Sequence, residues 1–215
     1  MNKSGLIILS GGMDSTTLLY DKKDDIALAV SFDYLSKHNQ KELAFAALHC
    51  AELNIRQIVI DLSFINKHFR SSLLSSGEEI PDGHYEDESM KKTVVPFRNG
   101  IMLSIAAGIA ESNELKRLYI GNHAGDHAIY PDCRESFIQN MSSAITAGTY
   151  FEVEICAPYT NIDKRAIALI GNKIGIDYSK TWTCYKGRDV HCGVCGSCTE
   201  RKEALSGFDN TGYLS

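Results

Sequence analysis

Residues 6–15 read Leu6-Ile7-Ile8-Leu9-Ser10-Gly11-Gly12-Met13-Asp14-Ser15. Four consecutive apolar residues closed by glycine read as a short strand buried on both faces. From Asp14 to Tyr20 the pattern turns helical. The two glycines between strand and helix let the backbone turn sharply and expose its N–H groups. The helix start adds unpaired N–H donors and the positive end of its dipole. That combination suits an anion, and Ser10, Ser15, Thr16 and Thr17 add hydroxyls. A bare Gly-Gly would as readily be a plain turn with Asp14 as a helix cap. There is no Gly-Lys-Ser/Thr and no G-x-G-x-x-G, so neither the common triphosphatase loop nor a dinucleotide fingerprint is indicated.

Outward from this loop, apolar runs alternate with amphipathic stretches. Strands are expected at Leu6–Leu9, Ile26–Phe32, Gln57–Leu62, Arg117–Ile120 and Glu152–Cys156. Helices are expected at Lys41–Leu53, Asn99–Glu111, Phe137–Ile145 and Asp163–Ile174, the last capped by Asn161 or Asp163. This alternation implies an α/β fold, a parallel sheet flanked by helices, with ligands bound beyond the carboxyl ends of the strands. Residues 62–97 carry no clear element and read either as a functional lid or as a mobile surface loop. The expected division is a body over 1–180 and a C-terminal segment over 181–215.

The hydrophobic fraction of 44% in 215 residues is enough for a core without staples. A net charge of −5 with no Lys/Arg block argues against a stable nucleic-acid partner. No apolar run approaches the roughly 18–20 residues that span a bilayer, and Leu6–Leu9 is too short for a signal peptide. A cytoplasmic location is expected.

Of seven cysteines, Cys184, Cys192, Cys195 and Cys198 fall close together in the pattern C-x7-C-x2-C-x2-C. An odd total and two-residue spacers fit a reducing compartment and a bound metal better than a disulfide framework. Four thiolates suit a closed, structural zinc site. An iron–sulfur cluster is the competing reading, and His191 is a possible substitute ligand. With four cysteines filled, no position remains for metal catalysis, so the metal would staple the segment to the body.

The whole string S-G-G-x-D-S after a strand resembles the pyrophosphate loop of the N-type ATP pyrophosphatases. From end to end the chain resembles the QueC family of 7-cyano-7-deazaguanine synthases. The pieces that carry this are LSGGMDSTTLLY at 9–20, FDY at 32–34 with His38, VPFRN at 95–99, YPDCRESF at 130–137 and TWTCYKGRDVHCGVCGSCTER at 181–201. The resemblance implies an adenine nucleotide alpha hydrolase-like, Rossmann-like body with a structural zinc. It implies an enzyme of queuosine biosynthesis that uses ATP with Mg²⁺, releases AMP and pyrophosphate, and turns 7-carboxy-7-deazaguanine and ammonia into the nitrile. A homodimer is also what the family suggests. A related reading is a paralogue that attaches an activated deazaguanine to a protein amine in antiphage defence.

On that resemblance, Leu9, Ser10, Gly11, Gly12, Met13, Asp14, Ser15 and Thr16 would hold the phosphates of ATP, and Phe32 and Tyr34 would lie beside the adenine. Asp14, Ser15, Arg98 and Lys164 are the candidate catalytic residues. Arg98, Asn99, Asp126, Tyr130, Asp132 and Arg134 are the candidate substrate contacts. An acidic side chain would take the guanine-like N–H groups, and an arginine the carboxylate. Plainer roles stand beside these: a surface ion pair for Arg98, a solvated Lys164, a helix cap for Asp132. Cys133 reads as a buried thiol or a nucleophile without an identifiable base. Trp182 either packs the cysteine segment or stacks on a ring. The spacing of His123, Asp126 and His127 is too loose to define a metal site. The family pattern has glycine after FDY, where this chain has Leu35. That substitution points to a backbone position suited to a left-handed conformation.

Overall fold

The computed structural model describes residues 3–82 and 88–214. Five parallel strands form one sheet: β1 (Gly5–Ile8), β2 (Ile26–Asp33), β3 (Arg56–Asp61), β4 (Arg117–Tyr119) and β5 (Glu154–Cys156). Their spatial order is β3-β2-β1-β4-β5, so the chain reverses its direction of travel between β1 and β4. In such doubly wound sheets this reversal opens a crevice at the strands' carboxyl ends. The helices are α1 (Met13–Asp21), α2 (Asn39–Glu52), α3 (Phe64–His68), α4 (Arg98–Ser112), α5 (Glu135–Gly148), α6 (Lys164–Lys173) and α7 (Gly196–Ala204).

The alternation of side chains along β1 builds two cores. Leu6 and Ile8 face a core with Leu103, Ala106 and Ala110 of α4 and Ile138 and Ile145 of α5. Ile7 and Leu9 face the other, with Leu18 and Leu19 of α1, Ala46 and Cys50 of α2 and Ile167 of α6. Both faces of a parallel sheet are thus covered, which explains why β1 and β2 read as continuous apolar runs. Small residues at 106, 107 and 110 let α4 lie close to the sheet. The stretch Ser89–Ser112 has the length and hydropathy of a membrane span. Yet residues 94–97 are not helical, and α4 alone packs into the core with Leu103, Ala106 and Ala110 fully buried.

Asp163 caps α6 by accepting from the Ala166 amide at 2.7 Å. The 62–97 segment is far from featureless where it is described. Ile65, Leu73, Leu74 and Met90 are buried in it. Lys37 Nζ donates to the carbonyls of Ser72, Gly77 and Glu78, and Ser71 Oγ donates to Thr93 O. These bonds dock much of the segment on the loop after β2, a packed role in place of the lid or mobile loop expected. Residues 83–87 of the segment lie outside the described residues.

Leu35 has φ 58°, the left-handed region. Its place after FDY therefore has the backbone shape that a glycine would suit, and a leucine carries it at a steric cost.

Candidate active site at the phosphate loop

Gly11 has φ +90°, and a Cβ there would lie 2.1 Å from the carbonyl oxygen of Glu42 and 2.8 Å from the Ala46 amide. Glycine is required twice, for the turn and for the close approach of α2. Gly12 precedes α1 with no side-chain cap, so the first amides of the helix keep no intrahelical acceptor. Ser10 Oγ accepts from Gly12 N at 3.1 Å and lies 3.0 Å from Ser15 Oγ, which braces the loop internally. Gly121, just past β4, packs against Ser15: a Cβ would sit 3.3 Å from Ser15 Cα.

One cavity opens over this loop at the β1/β4 reversal. Of the expected residues, Leu9, Ser10, Gly12, Met13, Asp14, Ser15, Phe32, Tyr34, Arg98, Asn99, Asp126 and Lys164 line it. Gly11 and Thr16 are not on its wall, and neither are Tyr130, Asp132 and Arg134. Tyr130 is buried, with its hydroxyl 2.9 Å from Thr93 Oγ1. Asp132 Oδ2 accepts from the Asn99 amide at 2.8 Å, so it caps α4, a helix that begins far earlier in the chain. That is the capping role left open from sequence, performed for another helix. Arg134 is exposed and donates from Nε to His127 O.

Asp14 Oδ2 lies 3.3 Å from Lys164 Nζ, and that ammonium lies 2.6 Å from Glu200 Oε2 on α7. Burial opposes the charge on Lys164, but the carboxylates of Asp14 and Glu200 outweigh it and hold its pKa above the ordinary lysine value. Lys164 is thus a buried, paired cation, not a solvated one. Asp14 Oδ1 is buried and finds no hydrogen-bond partner among the described residues. An unpaired buried carboxylate oxygen beside a helix N-terminus fits a hard cation that also touches phosphate. His123 Nε2 stands 3.9 Å from Asp14 Oδ2 and 3.5 Å from Asp126 Oδ1.

Across the cavity, Arg98 Nη1 donates to Tyr34 Oη at 3.3 Å, and its guanidinium lies over the Tyr34 ring. Burial opposes its charge, yet Tyr34, Asp132 and Cys133 together raise its pKa. Asn39 fixes the end of β2 by donating to Phe32 O and accepting from Tyr34 N. Cys133 accepts from Asn99 Nδ2 at 3.1 Å, and burial pushes its thiol well up, so it is no thiolate nucleophile.

Nothing local in the sequence marks Glu42 or Glu200. His38 stands out there only as a matching residue. Glu42 sits on a helix that reads as ordinary amphipathic, and only the docking of α2 on Gly11 turns it toward the cavity.

The sulfurs of Cys184, Cys192, Cys195 and Cys198 all lie within 4.8 Å of one another and are buried. A tetrahedral thiolate site with bonds of about 2.3 Å needs sulfurs about 3.8 Å apart, and Cys192 Sγ lies 3.9 Å from Cys198 Sγ. The four can hold a metal. His191 is not among them: its Nε2 accepts from the Thr183 amide. Among the described residues no second such cluster occurs, so His123, Asp126 and His127 do not converge. The segment closes on the phosphate loop where Trp182 N donates to Gly11 O at 3.0 Å. Trp182 packs near Phe45 and His191.

A family model described as "Queuosine biosynthesis protein QueC" matches residues 4–209. The chain belongs to the QueC family. It is 61% identical over 203 residues to a 7-cyano-7-deazaguanine synthase of Porphyromonas gingivalis, covering 94% of this chain and 92% of that one. It is 53% identical over 214 residues to the synthase of Desulfotalea psychrophila, covering 97% and 98%. Among solved structures, NMN synthetase from Francisella tularensis superposes with a TM-score of 0.52 at 12% identity, over 87% of this chain and 69% of that one. That likeness concerns the fold. The expected Rossmann-like α/β architecture with a C-terminal cysteine cluster holds, as does membership of the QueC family.

Proposed function

We propose that this QueC family member is an ATP-dependent ligase that makes 7-cyano-7-deazaguanine from 7-carboxy-7-deazaguanine and ammonia. One observation carries the reading: the anion loop, Arg98 and Lys164 open on a single cavity, in a chain that matches 7-cyano-7-deazaguanine synthases over nearly its whole length. A carboxylate is a poor electrophile. Its oxygen attacks the α-phosphorus of ATP, pyrophosphate leaves, and an acyl-adenylate forms. Ammonia adds to the acyl carbon, a proton is lost and AMP departs, which gives the amide. The amide oxygen then attacks a second ATP at the α-phosphorus, and a second pyrophosphate leaves. Loss of AMP and a proton from that adduct yields the nitrile.

In this reading the α1 amides, Ser10 and Ser15 hold the departing pyrophosphate, and Lys164 offsets charge that builds on the phosphate oxygens. Arg98 orients the substrate carboxylate. Asp14 would hold Mg²⁺, whose chemistry is to neutralise phosphate charge, and the four cysteines would hold zinc in a structural role. Phe32 and Tyr34 would flank the adenine. We place the protein in the cytoplasm, with the 1–180 body as the ATP unit and 181–215 as the metal segment. Acid-dependent exchange of labelled pyrophosphate into ATP tests the first half-reaction. Exchange with 7-carboxy-7-deazaguanine and none without it is expected. Its absence with the acid would overturn the reading.

A further inference from the structure

Glu42 lies in the first turn of α2, next to His38, and both side chains line the cavity. The Glu42 carboxyl makes no hydrogen bond among the described residues. Its nearest basic neighbour is His38 Nε2 at 3.6 Å. His38 is 3% exposed. The groups that face Glu42 from other elements are Arg98 of α4 and Tyr34 after β2. Burial pushes the Glu42 carboxyl up to about 8, and Arg98 offsets this only in part. Burial holds His38 down at about 4, so the imidazole is neutral. The tilted ring of Tyr185 stands 5.4 Å from His38, and Trp182, Tyr34 and Phe32 line the same cavity.

A solvated helix-face glutamate would not look like this. The side chain is only 16% exposed, it faces the cavity, and the nearest ion-pairing group is His38 at 3.6 Å, beyond hydrogen-bond distance. Such a group is satisfied by a ligand that brings N–H donors. Two adjacent donors in one plane match the two oxygens of a carboxylate, as in the fork of an arginine–carboxylate pair. The guanine-like edge of a deazapurine has that pair in its ring N–H and its 2-amino group. Adenine instead presents an amino donor beside a ring-nitrogen acceptor, which satisfies one oxygen and opposes the other.

We propose that Glu42, supported by His38, is the specificity-determining residue that reads the ring N–H and 2-amino donors of the deazaguanine substrate, while Arg98 faces its carboxylate. This rests on the proposed function and assigns the guanine edge to α2 in place of Asp126 or Asp132.

The test compares 7-carboxy-7-deazaguanine with the analogue lacking the 2-amino group in acid-dependent pyrophosphate exchange. The wild-type protein should prefer the amino compound in kcat/KM by about 100-fold. In Glu42→Gln that preference should fall to below about tenfold, through KM for the acid and not KM for ATP. Glu42→Asp, which keeps the charge with a shorter reach, should fall between. A Glu42→Gln protein that keeps the wild-type preference, or that loses ATP affinity alone, overturns the proposal. If the variant does not fold, calorimetry on the wild type at pH 7 in buffers of different ionisation enthalpy decides. The amino compound should release more protons on binding than the analogue, because the carboxyl ionises to meet the second donor. Equal release overturns the proposal. If neither acid drives exchange, the proposed function fails, and the calorimetric comparison still tests Glu42.

Discussion

Lys164 Nζ lies 2.6 Å from Glu200 Oε2, and the same ammonium lies 3.3 Å from Asp14 Oδ2. Glu200 is two residues beyond Cys198, on the helix that the cysteine cluster anchors. The cluster therefore reaches the phosphate loop by two routes: through Glu200 and Lys164 to Asp14, and through the Trp182 amide to Gly11 O. Arg201, fully buried, adds a third tie by donating to Thr181 Oγ1, Thr183 Oγ1 and Tyr178 O.

Removal of a metal held by the four cysteines should lower the thermal midpoint and weaken ATP binding together. Four buried thiols without an ion lose the bond set that fixes α7, and Glu200 moves with that helix. Calorimetric ATP titration before and after chelation checks this. A metal-free chain with unchanged ATP affinity would show that the cluster and the loop are independent.

Glu200→Gln should remove the carboxylate nearest to Lys164 and leave Asp14 at 3.3 Å, with Asp126 acting from further away. Breaking a buried pair from one side costs up to about 3–5 kcal/mol, less here because Asp14 remains. Chemical denaturation should show a loss in that direction, and KM for ATP should rise. Unchanged stability and KM would mean that Asp14 alone satisfies the lysine.

Much of this was legible before any coordinates. β1, the loop and α1 announce themselves because an apolar run, two glycines and a helix start are local signals, and the cysteine spacing is equally local. What stayed hidden is non-local. Asp132 reads as a pocket residue or a local cap, and nothing in the chain around it says that it caps α4. Residues 62–97 look irregular because their order comes from Lys37 and the loop after β2. Glu42 looks like one polar residue on an amphipathic helix, and its place depends on Gly11 accepting that helix at backbone distance.

Leu35→Gly should relieve roughly 0.5–1 kcal/mol of backbone strain net of chain entropy. A left-handed leucine carries about 1–2 kcal/mol of strain, and the greater freedom of glycine in the unfolded chain returns part of that. The residue is 38% exposed, so the part of the side chain that is buried works against this gain when it is removed. Urea denaturation of the variant checks it, and a lower midpoint would mean that the leucine side chain contributes packing that outweighs the strain.

The Glu42 carboxyl sets a pH dependence with a defined sign. Burial raises its pKa in the fold from the ordinary carboxyl range to about 8, so between those values the folded chain holds the extra proton. Stability from this group is present at low pH and is lost as pH rises toward 8. Glu42→Gln should therefore gain stability relative to wild type as pH rises from 5 to 8. A difference between the two that does not change with pH would place the carboxyl in contact with water or with a cation.

In the proposed reaction the phosphate loop serves two adenylations of one deazapurine. The most direct measurement incubates the protein with 7-carboxy-7-deazaguanine, ammonia, ATP and Mg²⁺ and counts products. The expected products are 7-cyano-7-deazaguanine and two AMP for each nitrile, with the amide in passing. No AMP above the acid-free control, or one AMP per molecule with the product stopped at the amide, would contradict it.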